Sequence, residues 1–289
     1  MPSRVTRHLT PKAFLGVARP LLSEREAEYG LMLAIGSAWA RRGEFPSGSQ
    51  VYIATVDSAS GPDAAALMTV PNNVIVTNAS AGAVSALAED LGQAELPVPG
   101  VHAPTKTAEA FAGAWNRTRG ISSRLTKTLR IHELTRVMAV PSTPGQFRQA
   151  QEAELEQLAT WFEALWTEAG GGLAGQTGMK VARHNFGAGW LFVWDQSGPV
   201  SMASATGPTP NGIRVNGVYT PPEHRGRGYA TACVAALSAR LLTEGRRFCF
   251  LFTDAANPTS NAIYQRIGYV PVAEVQEYRF EETSPGSAD

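Results

Sequence analysis

The run His224-Arg225-Gly226-Arg227-Gly228-Tyr229-Ala230 constrains this chain more than any other stretch. It follows a strand-like segment, Ile213 to Thr220, and opens an amphipathic one, Gly226–Glu244. In the latter, Ala230, Cys233, Val234, Leu237 and Leu241 share one helical face, and Gly245 suits the C-terminal cap. A strand therefore gives way to a helix across two alternating glycines and two arginines. A helix start presents unbonded backbone N–H groups and the positive end of the helix dipole. Glycine lets an anion approach the main chain, and arginine adds charge-assisted hydrogen bonds. The junction reads as a pyrophosphate site, and its ligand as a nucleotide-like cofactor.

The 289 residues leave room for two domains of roughly 100–200 residues each. Residues 1–20 read as a loosely packed, proline-flanked arm. A helix is expected over Glu24–Arg42, then strands at Val51–Val56, Ala64–Val70 and Asn73–Thr77. Val84, Leu87, Ala88 and Leu91 mark a helix by their spacing, as do Ala108, Phe111, Ala112 and Trp115 after Pro104. A short strand at Val98–His102 separates them, and Arg124–Val140 reads as extended. Pro141-Ser142-Thr143-Pro144-Gly145 is a break between halves.

Beyond it, Leu155, Leu158, Phe162, Leu165 and Trp166 mark a helix, and Gly170-Gly171-Gly172 a flexible loop. Strands are expected at Trp190–Trp194, Pro199–Thr206 and Ile213–Thr220. Phe248–Phe252 is an unbroken apolar run, suited to a strand buried on both faces. A short helix, Thr259–Ile267, stops at Gly268; Tyr269–Val272 and Val275–Phe280 form a closing strand pair. The two halves thus share an order of elements without an obvious residue-level repeat. The junction in the first half that matches the arginine–glycine run reads Thr77-Asn78-Ala79-Ser80-Ala81-Gly82-Ala83, with one glycine and no arginine. If the halves are duplicates, only the second keeps the phosphate site.

From Val218 to Tyr269 the chain resembles the GNAT superfamily of N-acetyltransferases. Arg225-Gly226-Arg227-Gly228-Tyr229-Ala230 is similar to that family's pyrophosphate loop, Gln/Arg-x-x-Gly-x-Gly/Ala. Val218-Tyr219-Thr220-Pro221-Pro222-Glu223-His224 resembles its fourth strand and the exit from it. Asn257 through Tyr269 resembles its Asn-x-x-Ser/Ala-x-x-x-Tyr-x-x-x-Gly-Phe/Tyr segment. The resemblance implies an α/β (α+β) fold: a mixed, mostly antiparallel sheet flanked by helices, here in tandem. Residues 1–140 would be a degenerate copy without a cofactor site, 146–281 the acetyltransferase domain, and 282–289 a disordered tail.

The resemblance further implies acetyl-CoA as co-substrate and a primary amine of a small molecule or peptide as acceptor, attacking directly in a ternary complex. Such a transfer needs a neutral amine, a positioned thioester, donors for the developing oxyanion and a proton for the leaving thiolate. Backbone groups of Val218, Tyr219 and Thr220 would hold the pantetheine arm and face the thioester carbonyl. Main-chain N–H groups of Gly226, Arg227, Gly228, Tyr229 and Ala230 would hold the pyrophosphate, with Arg225 at the loop's start. Tyr264 would be the general acid, since a phenol of pKa about 10 can protonate a thiolate of pKa roughly 8.5. Asn257 either contacts the pantetheine arm or caps the following helix. Tyr269 fits the core. For the general base, Glu223, His224, His184, Asp195, Glu274 and Glu277 stay open, as does a chain of waters. Trp161, Trp166, Trp190 and Trp194 fit either core packing or the lining of an acceptor pocket.

Other readings compete. One is a non-catalytic CoA-binding sensor or scaffold. Another is a dinucleotide oxidoreductase, but Gly226-x-Gly228 lacks the third glycine of that fingerprint, position 231 being threonine. The 25 basic and 25 acidic residues argue against nucleic-acid or anionic-membrane partners. Cys233 and Cys249 have no metal-ligand spacing, so no metal is expected. With no long apolar run, the cytoplasm is the expected compartment; the expected assembly is a monomer or homodimer.

Overall fold

The structure is a computed structural model that describes residues 3–58, 61–171 and 175–281. The expected tail, 282–289, and part of the expected glycine loop lie outside the described residues. The chain runs twice through one order of elements. The first pass is β1 (Arg4–Arg7), α1 (Pro11–Glu24), α2 (Gly30–Arg42), β2 (Val51–Ser58), β3 (Gly61–Thr69), β4 (Val74–Val76), α3 (Ala81–Gln93), β5 (Gly100–Pro104), α4 (Thr105–Arg119) and β6 (Ser122–Leu134). The second is β7 (Gln146–Gln149), α5 (Leu155–Glu168), α6 (Gly178–Gly187), β8 (Leu191–Asp195), β9 (Pro199–Thr206), β10 (Gly212–Tyr219), α7 (Tyr229–Thr243), β11 (Phe248–Asp254), α8 (Pro258–Ile267) and β12 (Val270–Glu281). The fold is a mixed, mostly antiparallel sheet flanked by helices, as expected.

Several local expectations need correction. The described part of the expected arm, residues 3–20, is not loose: it holds β1 and most of α1. The prolines misled, because Pro11 stands in the first turn, where its missing N–H costs nothing, and Thr10 caps that turn by accepting from Ala13 N. Phe14, Leu15, Ala18 and Leu22 of α1 are buried. The helix expected over Glu24–Arg42 is α2 and starts later, at Gly30; Glu24 is the last residue of α1. The short strand β7 and the helix α6 carry too few apolar residues to be read from spacing. The expected closing strand pair is one strand, β12.

The chain folds as two compact units. The first takes the described residues up to Arg130, Asp254–Ala256 and the described residues from Ala273 on; the second takes Ile131–Thr253 and Asn257–Val272. In the first unit β1, β2, β3 and β4 pair antiparallel in sequence order, and β4 pairs parallel with β5. β5 then pairs antiparallel with the end of the chain, Val275↔Pro104 through Arg279↔Gly100. In the second unit β7, β8, β9 and β10 are antiparallel, and β10 pairs parallel with β11. Strand alternation divides each core into two layers. In the second unit Leu191, Val193 and Met202 pack with α5 and α6 on one side, and Phe192, Ala203 and Ala205 pack with α7 and α8 on the other.

Gly100 shows how closely the last strand seats in the first unit. A Cβ there would lie 2.1 Å from the Tyr278 carbonyl oxygen and 2.7 Å from Asn73 Oδ1. Backbone cannot yield as a flexible side chain can, so Gly100→Ala forces the β5–β12 pair apart. Overpacking of this kind costs about 3 kcal/mol at its upper range, or roughly 10 °C of melting temperature for a unit of this size. Thermal unfolding followed by circular dichroism checks the expected drop.

Candidate functional site

The second unit builds its site where β10 leaves the sheet. β10 pairs with β11 at Gly212, Ile213 and Arg214, and the pairing ends there. From Val215 to Tyr219 the β10 edge facing β11 is open. A register shift against β9 falls between Asn216 and Tyr219, at Gly217. Gly217 has φ +57, and a Cβ on it would lie 2.6 Å from Ser204 Oγ and 2.7 Å from Phe162 Cε1. Only glycine fits this bulge. The extra residue reverses the alternation: Val215 and Val218 pack toward the α7–α8 layer, whereas Tyr219 joins the α5–α6 layer.

Past Tyr219, a single turn at Pro222–His224 leads into the loop. Gly226 and Gly228 both have left-handed backbone, φ +75 and +83. Gly228 is the N-cap of α7 and has no side chain to cap it. The first amide of the helix to find an acceptor is Ala232 N, which donates to Gly228 O at 3.0 Å. The amides of Tyr229, Ala230 and Thr231 are left pointing outward at the positive end of a 15-residue helix. The matching junction of the first unit is filled by its own groups. Ser80 caps α3 by accepting from Ala83 N and donates to the carboxylate of Asp63. Asn78 N donates to the Tyr29 hydroxyl and Ala79 N to Thr107 Oγ1.

A cavity of about 650 Å³ joins the open edge to the α7 N-terminus. Of the residues expected from sequence, Val218, Tyr219, Thr220, Arg225, Gly226, Gly228, Tyr229, Ala230, Asn257 and Tyr264 line it. Arg227 does not; it is exposed on the loop. The Tyr229 ring turns inward, its hydroxyl on Gln196 Oε1 and the His224 ring against its own, so its backbone is what it offers a ligand. Asn257 caps α8, Oδ1 accepting from Ser260 N at 3.0 Å, while it also lines the cavity. Tyr269 is core, hydrogen-bonded to Ser238 at 2.8 Å.

Tyr264 lines the cavity from α8, its ring edge-on to Tyr269 at 5.9 Å. Its hydroxyl has no hydrogen-bond partner among the described residues. Burial pushes its pKa up to about 12, so the phenol keeps its proton.

Arg225 is already engaged. Its Nη2 donates to both oxygens of Glu168 at 2.7 and 2.9 Å, and its Nε to the Thr220 carbonyl at 2.9 Å. Its guanidinium lies 5.6 Å from the centre of the Tyr219 ring, and the Tyr219 hydroxyl also donates to Glu168. Glu168 is a cavity residue that sequence reading missed: it ends α5 and belongs to no motif.

Among the base candidates, Asp195 is held by Arg148 at 2.8 Å, Glu274 by Arg130 at 2.8 Å and Glu277 by His102 at 3.0 Å. Glu223 and His184 are exposed. His224 lines the cavity, with its Nδ1 buried and without a hydrogen-bond partner. None of the four tryptophans lines it: Trp161 is buried in the α5–α6 layer with Trp166 beside it, and Trp190 and Trp194 pack on the α7–α8 layer. Among the described residues no group of three His, Cys, Asp or Glu stands close enough to hold a metal ion. No helix among them is long and apolar enough to cross a membrane.

Residues 149–269 match the model of the Acetyltransferase (GNAT) family, so the chain carries a GNAT domain there. No curated protein matches the chain. Among solved structures, a GCN5-related N-acetyltransferase from Sphaerobacter thermophilus is similar to it at TM-score 0.64 and 17% identity, over 98% of this chain and 96% of that one. A Drosophila protein is similar at TM-score 0.67 and 13% identity, over 97% and 99%. A tandem GNAT protein from the clavulanic acid biosynthesis pathway is similar at TM-score 0.58 and 13% identity, over 99% and 100%. At these identities the likeness speaks for the fold over both passes of the chain.

Proposed function

We propose that the GNAT domain of this chain is an acetyl-CoA-dependent N-acetyltransferase that acylates a primary amine of a small molecule or peptide. The observation that carries the reading is the convergence in one cavity of three things: uncapped helix amides, an open strand edge and an unpartnered phenol. Bound acetyl-CoA would supply the activated acetyl group. The amides of Tyr229, Ala230 and Thr231 suit its pyrophosphate, with the left-handed glycines letting it approach. The open edge at Val218–Thr220 suits the amides of the pantetheine arm, which would pair as an added strand does. A backbone N–H beside the Gly217 bulge suits the developing oxyanion. Tyr264 would donate its proton to the leaving sulfur. His224 is the best placed of the base candidates, with a water between it and the amine; both oxygens of Glu168 are already taken up by Arg225.

Arg225 has a supporting role in this reading. It fixes the Thr220 carbonyl and the end of α5, which form two walls of the cavity. A screen of primary amines with acetyl-CoA, read by release of free thiol, tests the assignment. Binding of acetyl-CoA without thiol release from any amine would favour the sensor reading instead.

The first unit is proposed to be a degenerate copy without a cofactor site. Its Ser80 cap, the Asp63 carboxylate and the engaged amides of Asn78 and Ala79 stand where a pyrophosphate would need free donors. Calorimetric titration should give one acetyl-CoA per chain; two per chain would refute the proposal for this unit.

A further inference from the structure

Arg214 is a cation with almost nothing to hold. It is the last β10 residue paired with β11, opposite Phe250, so it stands where the two strands begin to part. Its guanidinium lies 6.0 Å from the centre of the Phe252 ring. Of its five N–H donors, one reaches an acceptor among the described residues, Thr206 Oγ1, at 3.5 Å, the outer limit for a hydrogen bond. Its Nε is shut off from water and has no acceptor. It makes no ion pair with a described residue. Burial drives its pKa downward, with no neighbouring carboxylate to offset the cost. Arg148, half-buried in the same unit, is by contrast paired with two acids, Glu154 and Asp195.

The surroundings are polar on one side only. Asn216, Ser204 and Thr206 satisfy one another: Ser204 Oγ donates to Asn216 Oδ1 at 2.7 Å, and Asn216 Nδ2 to Thr206 Oγ1 at 2.9 Å. This wall leaves the guanidinium no carboxylate. Arg214 does not itself line the cavity, but as a residue it stays partly exposed. It also faces the right way. The Gly217 bulge puts Tyr219 on the same α5–α6 side of the sheet as Arg214, and Tyr219 lines the cavity. Three residue steps, roughly 10 Å of strand, separate Arg214 from the Gly217 bulge, where the acyl group would sit.

We propose that Arg214 binds a carboxylate carried by the acceptor, so that the acceptors are amines bearing an acid several bonds from the nitrogen. The inference rests on the N-acetyltransferase reading and supplies its substrate class. The ligand carboxylate would form the two-pronged pair that the protein withholds, and so relieve the buried charge.

The test uses the whole chain and three probes, β-alanine, γ-aminobutyrate and ε-aminocaproate, each against its carboxamide. Transfer is read as kcat/KM by thiol release. Binding is read on the arginine Nε–H resonances in an NMR titration, with the Arg214 signal assigned by its loss in Arg214→Lys. For the acid of matching length, wild type should exceed the amide by about 10- to 100-fold, the worth of a charged hydrogen-bonded pair. Arg214→Met should lose that margin while its rate with the amide and its acetyl-CoA affinity hold. The Arg214 Nε–H signal should shift with the acid and stay still with the amide. Equal rates for acid and amide at every length in wild type would overturn the inference and leave acetyl transfer standing, without need of any variant. So would an Nε–H signal that no acid moves. A signal that moves with acids, in a protein that transfers to no amine, would uphold the anion site and sink the transferase reading.

Discussion

Replacing Tyr264 by phenylalanine is expected to lower turnover by about 10²–10⁴-fold, the usual contribution of a general acid. The change removes one oxygen that bonds to no described residue and keeps the ring that meets Tyr269 edge-on. Stability should therefore move by less than about 0.5 kcal/mol, and acetyl-CoA affinity hardly at all. An interaction made only in the transition state has this signature: kcat falls and binding does not. Because burial holds the phenol's pKa near about 12, the proton is in place throughout the neutral range, and turnover should show no alkaline limb from this group below pH about 10. The same shift has a consequence for stability. Below the ordinary tyrosine pKa, about 10, both folded and unfolded chains keep the proton and stability is flat. Above it the unfolded chain ionises first, so the fold loses stability as pH rises toward about 12. Full turnover in Tyr264→Phe, measured where chemistry limits the rate, would remove the residue from the mechanism.

Gly228→Glu should abolish acetyl-CoA binding, with a loss of at least about 100-fold. Two effects combine. The position has φ +83, so any side chain costs about 1–2 kcal/mol of backbone strain. The carboxylate then sits at the N-cap of α7, where it satisfies the very amides that a pyrophosphate would use, and it repels that anion by several kcal/mol. Gly228→Gln separates the two effects, since it carries the same strain without the charge. Calorimetry on the pair should show Gln weakened and Glu silent. Comparable affinity in Glu and wild type would move the phosphate site away from this loop.

Much of the site was legible because its chemistry is written in consecutive residues. The glycines of the loop are needed for their backbone angles, and Tyr264 and Asn257 recur at fixed helix spacing behind them. Glu168 was not legible, since what makes it a cavity residue is the place where α5 happens to end. Arg214 was equally mute: a lone arginine inside a strand pattern reads as an edge residue facing water. The amphipathic helices α3, α4, α5 and α7 were read from their periodicity. The arm that proved to be α1 was missed because Pro11 and Pro20 look like breakers, and only the cap at Thr10 shows that the first of them starts a helix. Tyr269–Phe280 was split in two because Pro271 and the charged residues after it mimic a turn.

The seating of the chain's last strand against β5 also sets an order in time. During synthesis the ribosome delivers β1 through α4 long before Val275–Arg279. At ordinary rates of about 5–20 residues per second, the wait is on the order of ten seconds. For that interval β5 has a bare edge, with Gly100 exposing the backbone that Tyr278 will later cover. A nascent chain in this condition is open to pairing with a neighbour on the same messenger, and its N-terminal unit cannot be secured by being made first. A stop codon shortly before Val275 would thus remove a strand from the part of the protein that was translated earliest.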